Sequence, residues 1–356
     1  MPVAGNTDPV VVEVLSSVLA AFGVVDQIVG VEALSGGHIH HTWSVTVAGS
    51  SGEFGYVLQD LNRRVFTDMA ACEENLRRID AHWRVSEATA GIAIPRHLHS
   101  IDGTGIHVTR ADSSVWRATE RIDNSYAPGQ IDSPAEAHRV ARAFGHFVAH
   151  LWTLPGPPLQ ETIPQFHNFS WRVEQLRRAV VADRHDRRSG VQSELDEADE
   201  LGSRVAAAAL TIAADRTHSV HNDAKVTNLI CHRDDGEPIA VVDLDTTMPG
   251  SPLVDLGELV RSGCSERPED SGDLTTIEVR MEIVSALIDG FRSTAQLSPA
   301  ELELVEWSGP VLAVENGMRF LADHLNGDVY FRAHRVGQNL DRARVQMCLA
   351  RQLLGF

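Results

Sequence analysis

The sequence predicts an α+β protein with a sheet-rich N-terminal lobe and a mainly helical C-terminal lobe. The chain has 356 residues, 43% of them hydrophobic, which is more apolar material than one core usually contains. Strand-like runs separated by turn-forming segments dominate up to residue 122, and longer runs with helical spacing follow. The link DNSYAPGQIDSP, at 123–134, separates these two patterns. We therefore divide the chain into lobes 1–122 and 123–356.

The N-terminal lobe is predicted to be mostly antiparallel sheet. It begins with an amphipathic helix at 8–22, whose flanking charges argue against a signal peptide or a membrane span. A second helix is expected at 67–85. The segments SGGH and AGSSGE supply turn chemistry between the first three strands. The expected strands are 28–34, 42–47, 54–59, 94–100, 106–110 and 115–122.

The C-terminal lobe is predicted to be helical, with one strand-rich island at 218–243. Within this island, NLICH and IAVVDLD flank the turn DDGEP, a pattern typical of a β-hairpin. Rigid strands of this kind can aim the polar side chains of the loop that enters them. The expected helices are 134–153, 170–183, 191–213, 275–295, 299–323 and 337–354.

Charge and cysteine usage limit the classes of partner. A net charge of -18 repels phosphate backbones and anionic membranes, so we expect no nucleic-acid partner and no membrane partner. The four cysteines form no CxxC pair, which favours reduced thiols in a cytoplasmic protein. The sequence has no heptad repeat, so a monomer is expected.

The stretch HNDAKVTN, at 221–228, contains the single lysine of the chain, Lys225. Asn228 follows Asp223 by five residues, and Asp243 follows it by 20 residues, at the end of the apolar strand IAVVD. This spacing is the layout of a kinase catalytic loop followed by a metal-binding aspartate on the next strand. The alternative interpretation is a surface turn stabilised by capping Asp and Asn side chains.

The chemistry of phosphoryl transfer explains each residue type in this motif. Mg²⁺ held between the phosphates of ATP prefers hard oxygen ligands, which Asn228 and Asp243 would supply. The acceptor hydroxyl needs a base, and Asp223 suits that role. The ammonium of Lys225 would neutralise charge on the transferring phosphoryl group.

The turn SGGHIHH, at 35–41, is predicted to cover the nucleotide phosphates with the backbone N–H groups of Gly36 and Gly37. Its three histidines leave two further alternatives: solvated or substrate-contacting side chains, or a metal site. Those histidines are His38, His40 and His41.

Because the single lysine of the chain is Lys225, the nucleotide site lacks the lysine that protein kinases use there. Protein kinases place a lysine on the third strand, and this chain has Gln59 there, within YVLQDLNRR. Either the Gln59 amide contacts phosphate, or Arg63 or Arg64 supplies the charge.

Five segments in the same order resemble the N-acetylhexosamine 1-kinases, anomeric sugar kinases of the aminoglycoside phosphotransferase and choline kinase superfamily. The resemblance implies a protein-kinase-like bilobal fold. It also implies ATP- and Mg²⁺-dependent phosphorylation of the anomeric hydroxyl of N-acetylglucosamine or N-acetylgalactosamine. The segments are SGGHIHHTWSV, YVLQDLNRRVFTDMAACEENL, ETIPQFHNF, HNDAK with VVDLDTTMPGSPLVDLGELVR, and MRFLADHLNGDVYFRAHRVGQNLDRARVQ.

The resemblance also implies roles for individual residues. His38, Arg319 and Tyr330 would line the sugar pocket together with the base Asp223. The segment from Glu120 to Ile122 would be the hinge against which adenine sits. The family usually reads HNDTK-x-NN, and this chain departs from that pattern at Ala224 and Thr227.

Three other functions remain open from the sequence. The first is a phosphotransferase of the same fold acting on an aminoglycoside, glucosamine, another hexose or an amino alcohol. The second is a nucleotide-binding pseudokinase, which the missing third-strand lysine favours. The third is a metal hydrolase that uses His218, His221 and Asp243.

Overall fold

The N-terminal half is built on one antiparallel sheet. The computed structural model describes residues 8–34, 39–103 and 105–355. Its five-stranded sheet has the order β1-β2-β3-β5-β4. The strands are β1 (Gln27–Leu34), β2 (His41–Gly49), β3 (Gly52–Asp60), β4 (His107–Thr109) and β5 (Val115–Glu120).

Helix α1 (Pro9–Ala21) begins at the cap Asp8, whose side chain accepts from the backbone N–H of Val10 at 2.9 Å. It buries Leu15, Val18 and Leu19 in one apolar cluster with the sheet. The charges that interrupt this apolar segment therefore face away from the cluster, as expected for an amphipathic helix.

The strand predicted at 94–100 is wrong. This segment forms only isolated bridges, between Ala93 and Ala240 and between His97 and Thr119. Pro95 has no backbone N–H to donate, so the ladder cannot continue through it.

Helix α2 (Met69–Ala90) runs beyond the predicted 67–85. It ends at Gly91, which takes the left-handed conformation with φ of 72°. Its apolar face, including Leu76, Ile79 and Trp83, belongs to the large core of the helical half. This helix therefore joins the N-terminal sheet to the C-terminal core.

The C-terminal half is helical, and the long helix α9 is buried along nearly its whole length. The predicted helix 299–323 divides into α8 and α9 at a turn at Glu303 and Leu304, and Ser298 and Glu301 form a capping box that begins α8. The predicted helix 275–295 is shorter than expected. The helices are α3 (Pro134–Leu151), α4 (Phe169–Ala182), α5 (Gln192–Ala214), α6 (Pro252–Gly263), α7 (Met281–Arg292), α8 (Pro299–Leu302), α9 (Val305–Leu325) and α10 (Gln338–Leu353).

Helix α6 was not predicted from the sequence. All its residues except Ser262 are buried, so its sequence lacks the polar stripe that marks a surface helix. The helix begins at the cap Ser251, whose side chain accepts from the backbone N–H of Leu253 at 3.3 Å. It packs against α9 and brings its first turn under the loop that contains the HND motif.

The predicted β-hairpin is confirmed. Strands β8 (Leu229–His232) and β9 (Pro238–Val241) pair antiparallel, and β6 (Ser125–Tyr126) adds a third strand. A separate pair is formed by β7 (His218–Val220) and β10 (Met248–Gly250). The HND loop lies between β7 and β8, and Asp243 follows β9. The fold class, with a sheet-rich first part and a helical second part, is confirmed, while the lobe boundary at 122/123 stays a prediction.

Across the described ranges, no helix combines the length and the apolar character that crossing a membrane requires. The four cysteines are free thiols, and Cys72, Cys231 and Cys264 are buried.

Candidate active site

A buried carboxylate anchors the HND loop. The backbone N–H groups of His221 and Asn222 donate to the two oxygens of Asp255, at 2.8 and 2.7 Å. Asp255 lies in the first turn of α6 and is fully buried, and burial raises its pKa to about 6. The helix N-terminus and the two amides therefore hold a loop that has no regular structure of its own.

Asn222 ties the same loop to the chain that follows Asp243. Its backbone is left-handed, with φ of 63°, and its side-chain amide donates to the carbonyls of Val220, Thr246 and Met248. A side chain that bonds its local backbone stabilises this conformation. The HND loop and the segment that follows Asp243 are therefore joined by side-chain hydrogen bonds.

His221 links Asp223 to the chain segment that leads from β9 to Asp243. Its Nδ1 accepts from the backbone N–H of Asp223 at 3.2 Å, so the proton lies on Nε2, which donates to the Val242 carbonyl at 2.9 Å. Both ring nitrogens are engaged, and among the described residues the cluster of potential metal ligands around Asp243 includes His40 and Asp245 but neither His218 nor His221. The metal-hydrolase hypothesis is therefore wrong in its choice of ligands.

Asp223, Lys225 and Asn228 come together as the sequence predicts. Lys225 Nζ lies 3.1 Å from Asp223 Oδ2, and Asn228 Nδ2 donates to the same oxygen at 3.2 Å and to the Asp223 carbonyl at 2.8 Å. Among the described residues, none donates a hydrogen bond to Asp223 Oδ1. One oxygen of this carboxylate is thus held by two donors, and the other receives no hydrogen bond from the described residues.

Lys225 stays positively charged in this setting. Burial alone lowers the pKa of its ammonium, but the adjacent Asp223 carboxylate outweighs that effect, and the net pKa is raised. A lysine with a raised pKa cannot act as a base near neutral pH. Its contribution is a fixed positive charge beside Asp223.

The two predicted metal ligands have oxygens without partners. Asp243 adopts a left-handed backbone, with φ of 62°, and its carboxylate makes no hydrogen bond or ion pair with any residue that the structure describes. Burial, followed by the charge of Asp245, raises the pKa of Asp243. The Asn228 amide nitrogen is engaged by Asp223, while its oxygen accepts no hydrogen bond in the described chain. Two such hard oxygens fit a divalent cation of the Mg²⁺ type.

Sequence reasoning missed a buried cluster that joins the N-terminal sheet to this metal segment. Arg117, on β5, donates to both oxygens of Asp245, at 2.7 Å each, and to Gln59 Oε1 at 3.0 and 2.6 Å. His40 Nε2 lies 3.2 Å from Asp245 Oδ2. His40 is only 8% exposed, so its interpretation as a solvated turn histidine is wrong.

Gln59 therefore stands where a kinase lysine is expected, and its amide oxygen holds an arginine from the neighbouring strand. Arg63 is exposed and donates to the Ser113 carbonyl at 3.1 Å, and Arg64 is also exposed. A phosphate contact by any of these three side chains stays a prediction.

A cavity of about 440 Å³ opens beside the loop. Its lining includes the predicted base, lysine and metal ligands, together with the predicted sugar contacts; these residues are Asp223, Lys225, Asn228, Asp243, Arg319 and Tyr330. The Arg319 guanidinium, 8% exposed, lies 4.8 Å from the Phe166 ring centroid and 5.4 Å from that of Phe331. Two aromatic faces thus hold a planar cation at the wall of the cavity. Tyr330 is 46% exposed at the rim.

The charge of this cavity is opposite to that of the whole chain. Its acids are Asp223, Asp243, Glu266 and Glu269, and its bases are Lys225, Arg261, Arg267, Arg319, Arg332 and Arg342. The two glutamates are already paired, Glu269 with Arg261 at 2.8 Å and Glu266 with Arg280 at 3.0 Å. The part of the cavity away from Asp223 and Asp243 therefore offers positive charge to a ligand.

The remaining predicted nucleotide contacts do not line this cavity. Glu120 ends β5, and its N–H donates to the Arg96 carbonyl at 2.9 Å, whereas the Ile122 N–H has no acceptor in the described ranges. The other three residues predicted to contact nucleotide or sugar lie outside the described residues: Gly36, Gly37 and His38.

Comparison with known families agrees with this geometry. Residues 30–289 match the model of the phosphotransferase enzyme family, which is more than half of the chain. The chain belongs to this phosphotransferase family.

Solved structures with similar folds cover nearly the whole phosphotransferase. An aminoglycoside phosphotransferase from Alicyclobacillus acidocaldarius is 14% identical, with a TM-score of 0.61, and the match covers 95% of each chain. A spectinomycin phosphotransferase in complex with ADP and spectinomycin is 12% identical, with a TM-score of 0.57, covering 96% of this chain and 98% of that one. An amicoumacin kinase in complex with AMP-PNP and Ca²⁺ is 17% identical, with a TM-score of 0.54, covering 90% and 88%. At these identities the likeness establishes the fold.

Proposed function

We propose that this phosphotransferase transfers the γ-phosphoryl group of ATP, with Mg²⁺, to the anomeric hydroxyl of an N-acetylhexosamine. The observation that carries the proposal is the Asp223 oxygen that receives no hydrogen bond from the described residues, in a cavity lined by more basic than acidic side chains. Five segments that resemble the N-acetylhexosamine 1-kinases support the same acceptor.

In the proposed reaction, Asp223 Oδ1 accepts the proton of the acceptor hydroxyl. The hydroxyl oxygen forms a bond to the γ-phosphorus, the bond from that phosphorus to the bridging oxygen breaks, and ADP leaves. Asn228 Nδ2 and Lys225 Nζ hold the other oxygen of Asp223, so the base keeps its direction during the transfer.

Asn228 Oδ1 and the Asp243 carboxylate would hold Mg²⁺, which supplies charge neutralisation for the donor phosphates when it is bound. Lys225 adds a fixed cation next to the same centre. Gly36 and Gly37 are proposed to cover the phosphates, and the segment from Glu120 to Ile122 is proposed to receive adenine.

The charge of the cavity favours a neutral sugar over a polycationic aminoglycoside. A polyamine placed there would approach Arg267, Arg319 and Arg332, while the nearby glutamates are already neutralised by arginines. His38, Arg319 and Tyr330 are proposed to contact the sugar, since planar donors and aromatic faces suit a neutral polyol.

The free thiols and the use of ATP favour action in the cytoplasm. A monomer is sufficient for this mechanism, because all the proposed groups come from one chain.

The test is ADP release with N-acetylglucosamine, N-acetylgalactosamine, glucosamine, galactose and kanamycin, each with and without Mg²⁺. N-acetylglucosamine and glucosamine are a matched pair, because the free amine adds a positive charge where the acetamide has none. We expect Mg²⁺-dependent turnover of the N-acetylhexosamines and slower turnover of glucosamine and kanamycin. Preferred turnover of kanamycin would reject the proposed acceptor, and nucleotide binding without turnover of any acceptor would favour the pseudokinase.

A further inference from the structure

The buried cation Arg117 has no place in the chemistry described above. Its side chain is 3% exposed, on the strand next to the one where kinases place their lysine. In the β3–β5 register it lies directly opposite Gln59. A buried guanidinium therefore lies directly beside Gln59, the residue at the position where kinases place their lysine.

Arg117 cannot contact the donor phosphates directly in this arrangement. Gln59 Oε1 accepts from its Nε and Nη2, and Asp245 accepts from Nη1 and Nη2. The guanidinium is thus bonded on both sides and shielded from solvent. An effect of Arg117 on the reaction would therefore pass through these two partners, and Asp245 is the one that lies next to the proposed metal ligand Asp243.

Asp245 lies two residues after the proposed metal ligand Asp243, and several groups fix its position. Both of its oxygens accept from Arg117, and Oδ2 also accepts from His40, whose Nδ1 accepts from the backbone N–H of Asn62 at 3.0 Å. Its carbonyl accepts from the Thr162 hydroxyl at 2.7 Å. The short segment 243–245 is thereby held to the N-terminal sheet and to the helical half together.

The same contacts decide which carboxylate faces a cation. Ligand atoms of His40, Asp243 and Asp245 all lie within 4.8 Å of one another. Arg117 neutralises Asp245, and the proton on His40 Nε2 points at it, so neither of these groups offers a free ligand atom. Asp243 remains as the unpaired carboxylate of this segment.

We propose that Arg117 is a positioning residue that acts on the metal site through Asp245. It locks segment 243–245 to the sheet and leaves Asp243 as the carboxylate that meets the nucleotide-bound metal. The inference rests on the proposed use of ATP and Mg²⁺, and it is independent of the acceptor.

The test measures metal-dependent nucleotide binding, without turnover. The probe is AMP-PNP, titrated with Mg²⁺ and followed by isothermal titration calorimetry. The variant is the pair Arg117→Met with Asp245→Asn, which removes the link without leaving one charge buried and alone. The matched control is Arg344→Met with Glu194→Gln, a partly buried ion pair between α10 and α5.

We expect the half-saturating Mg²⁺ concentration to rise at least about tenfold in the Arg117/Asp245 variant and to stay within about twofold in the control. A folded Arg117/Asp245 variant within about twofold of the unmodified protein would overturn the proposal, because Arg117 would then serve stability alone. If that variant does not fold, Arg117→Lys decides. It keeps the charge but holds one Asp245 oxygen, so a rise of about threefold or more supports the proposal and an unchanged value contradicts it.

Failure of the acceptor assignment leaves this result unaffected, because the titration contains no acceptor. Failure of the unmodified protein to bind AMP-PNP in the presence of Mg²⁺ would reject the proposed donor and this inference with it.

Discussion

Lys225 Nζ lies 3.1 Å from Oδ2 of Asp223, and Asn228 Nδ2 donates to the same oxygen at 3.2 Å. One oxygen of the proposed base is therefore held by two donors, while the other receives no hydrogen bond from the described residues. In the proposed mechanism, the single lysine of the chain would therefore orient the base as well as neutralise phosphate charge.

The first prediction concerns the shape of that cation. Lys225→Arg should lower kcat at least about tenfold with little loss of thermal stability, since a planar guanidinium cannot place a point charge at the same atom. Steady-state kinetics and a thermal melt check it. Turnover close to that of the unmodified protein would mean that any cation suffices at this position.

The second prediction concerns the base. Asp223→Asn keeps the side-chain size but removes the proton acceptor, so kcat should fall at least about a hundredfold. The affinity for AMP-PNP with Mg²⁺, measured by titration, should change little. An equal loss of nucleotide affinity would instead place Asp223 among the metal ligands.

The third prediction concerns the acceptor pocket. Arg319→Leu should raise the KM for the acceptor about tenfold or more while the KM for ATP stays nearly constant, because the guanidinium lies between Phe166 and Phe331 at the cavity wall. A parallel loss of ATP affinity in Arg319→Leu would contradict the assignment.

Thr227→Asn restores the family pattern at a residue that lines the cavity, and we expect it to change the ratio of kcat/KM between the two N-acetylhexosamines.

The fourth prediction follows from the buried carboxyl of Asp255. Its pKa is about 6 in the folded protein, above the ordinary value of 3.8, so the folded state binds the proton more tightly than the unfolded state. The Asp255 carboxyl group contributes most favourably to the free energy of unfolding below pH 4. That contribution decreases by up to about 3 kcal/mol as the pH rises to 6.

The difference in the free energy of unfolding between the unmodified protein and Asp255→Asn should therefore shift with pH in this interval. Urea denaturation at several values between pH 4 and pH 6.5 measures it. The neighbouring His221 and His167 are present in both proteins and cancel to first order. A difference that is constant with pH would contradict the raised pKa.

The parts of the site that the sequence predicts are local in the chain. Asp223, Lys225 and Asn228 occupy one short loop, and the hairpin β8–β9 brings Asp243 to it, so residue spacing was enough to place them together. Arg319 and Tyr330 needed the resemblance to a family, because nothing in a buried helix or an exposed loop marks a side chain as facing a cavity.

The parts that sequence reasoning missed depend on contacts between distant segments. Arg117 and Asp245 are 128 residues apart, and only the sheet register and the path of the chain after β9 bring them together. Helix α6 was missed because it is buried on all sides. The strand expected at 94–100 did not form because Pro95 has no backbone N–H with which to continue the ladder.

The ³¹P NMR spectrum of the product formed from ATP, Mg²⁺ and N-acetylglucosamine or N-acetylgalactosamine is the most direct test of phosphorylation at the anomeric hydroxyl. We predict a phosphorus signal coupled to the anomeric proton, formed by the unmodified protein and almost absent with Asp223→Asn. Coupling to a proton at any other carbon, or a product that forms equally well with Asp223→Asn, would contradict the assignment of Asp223 as the base for the anomeric hydroxyl.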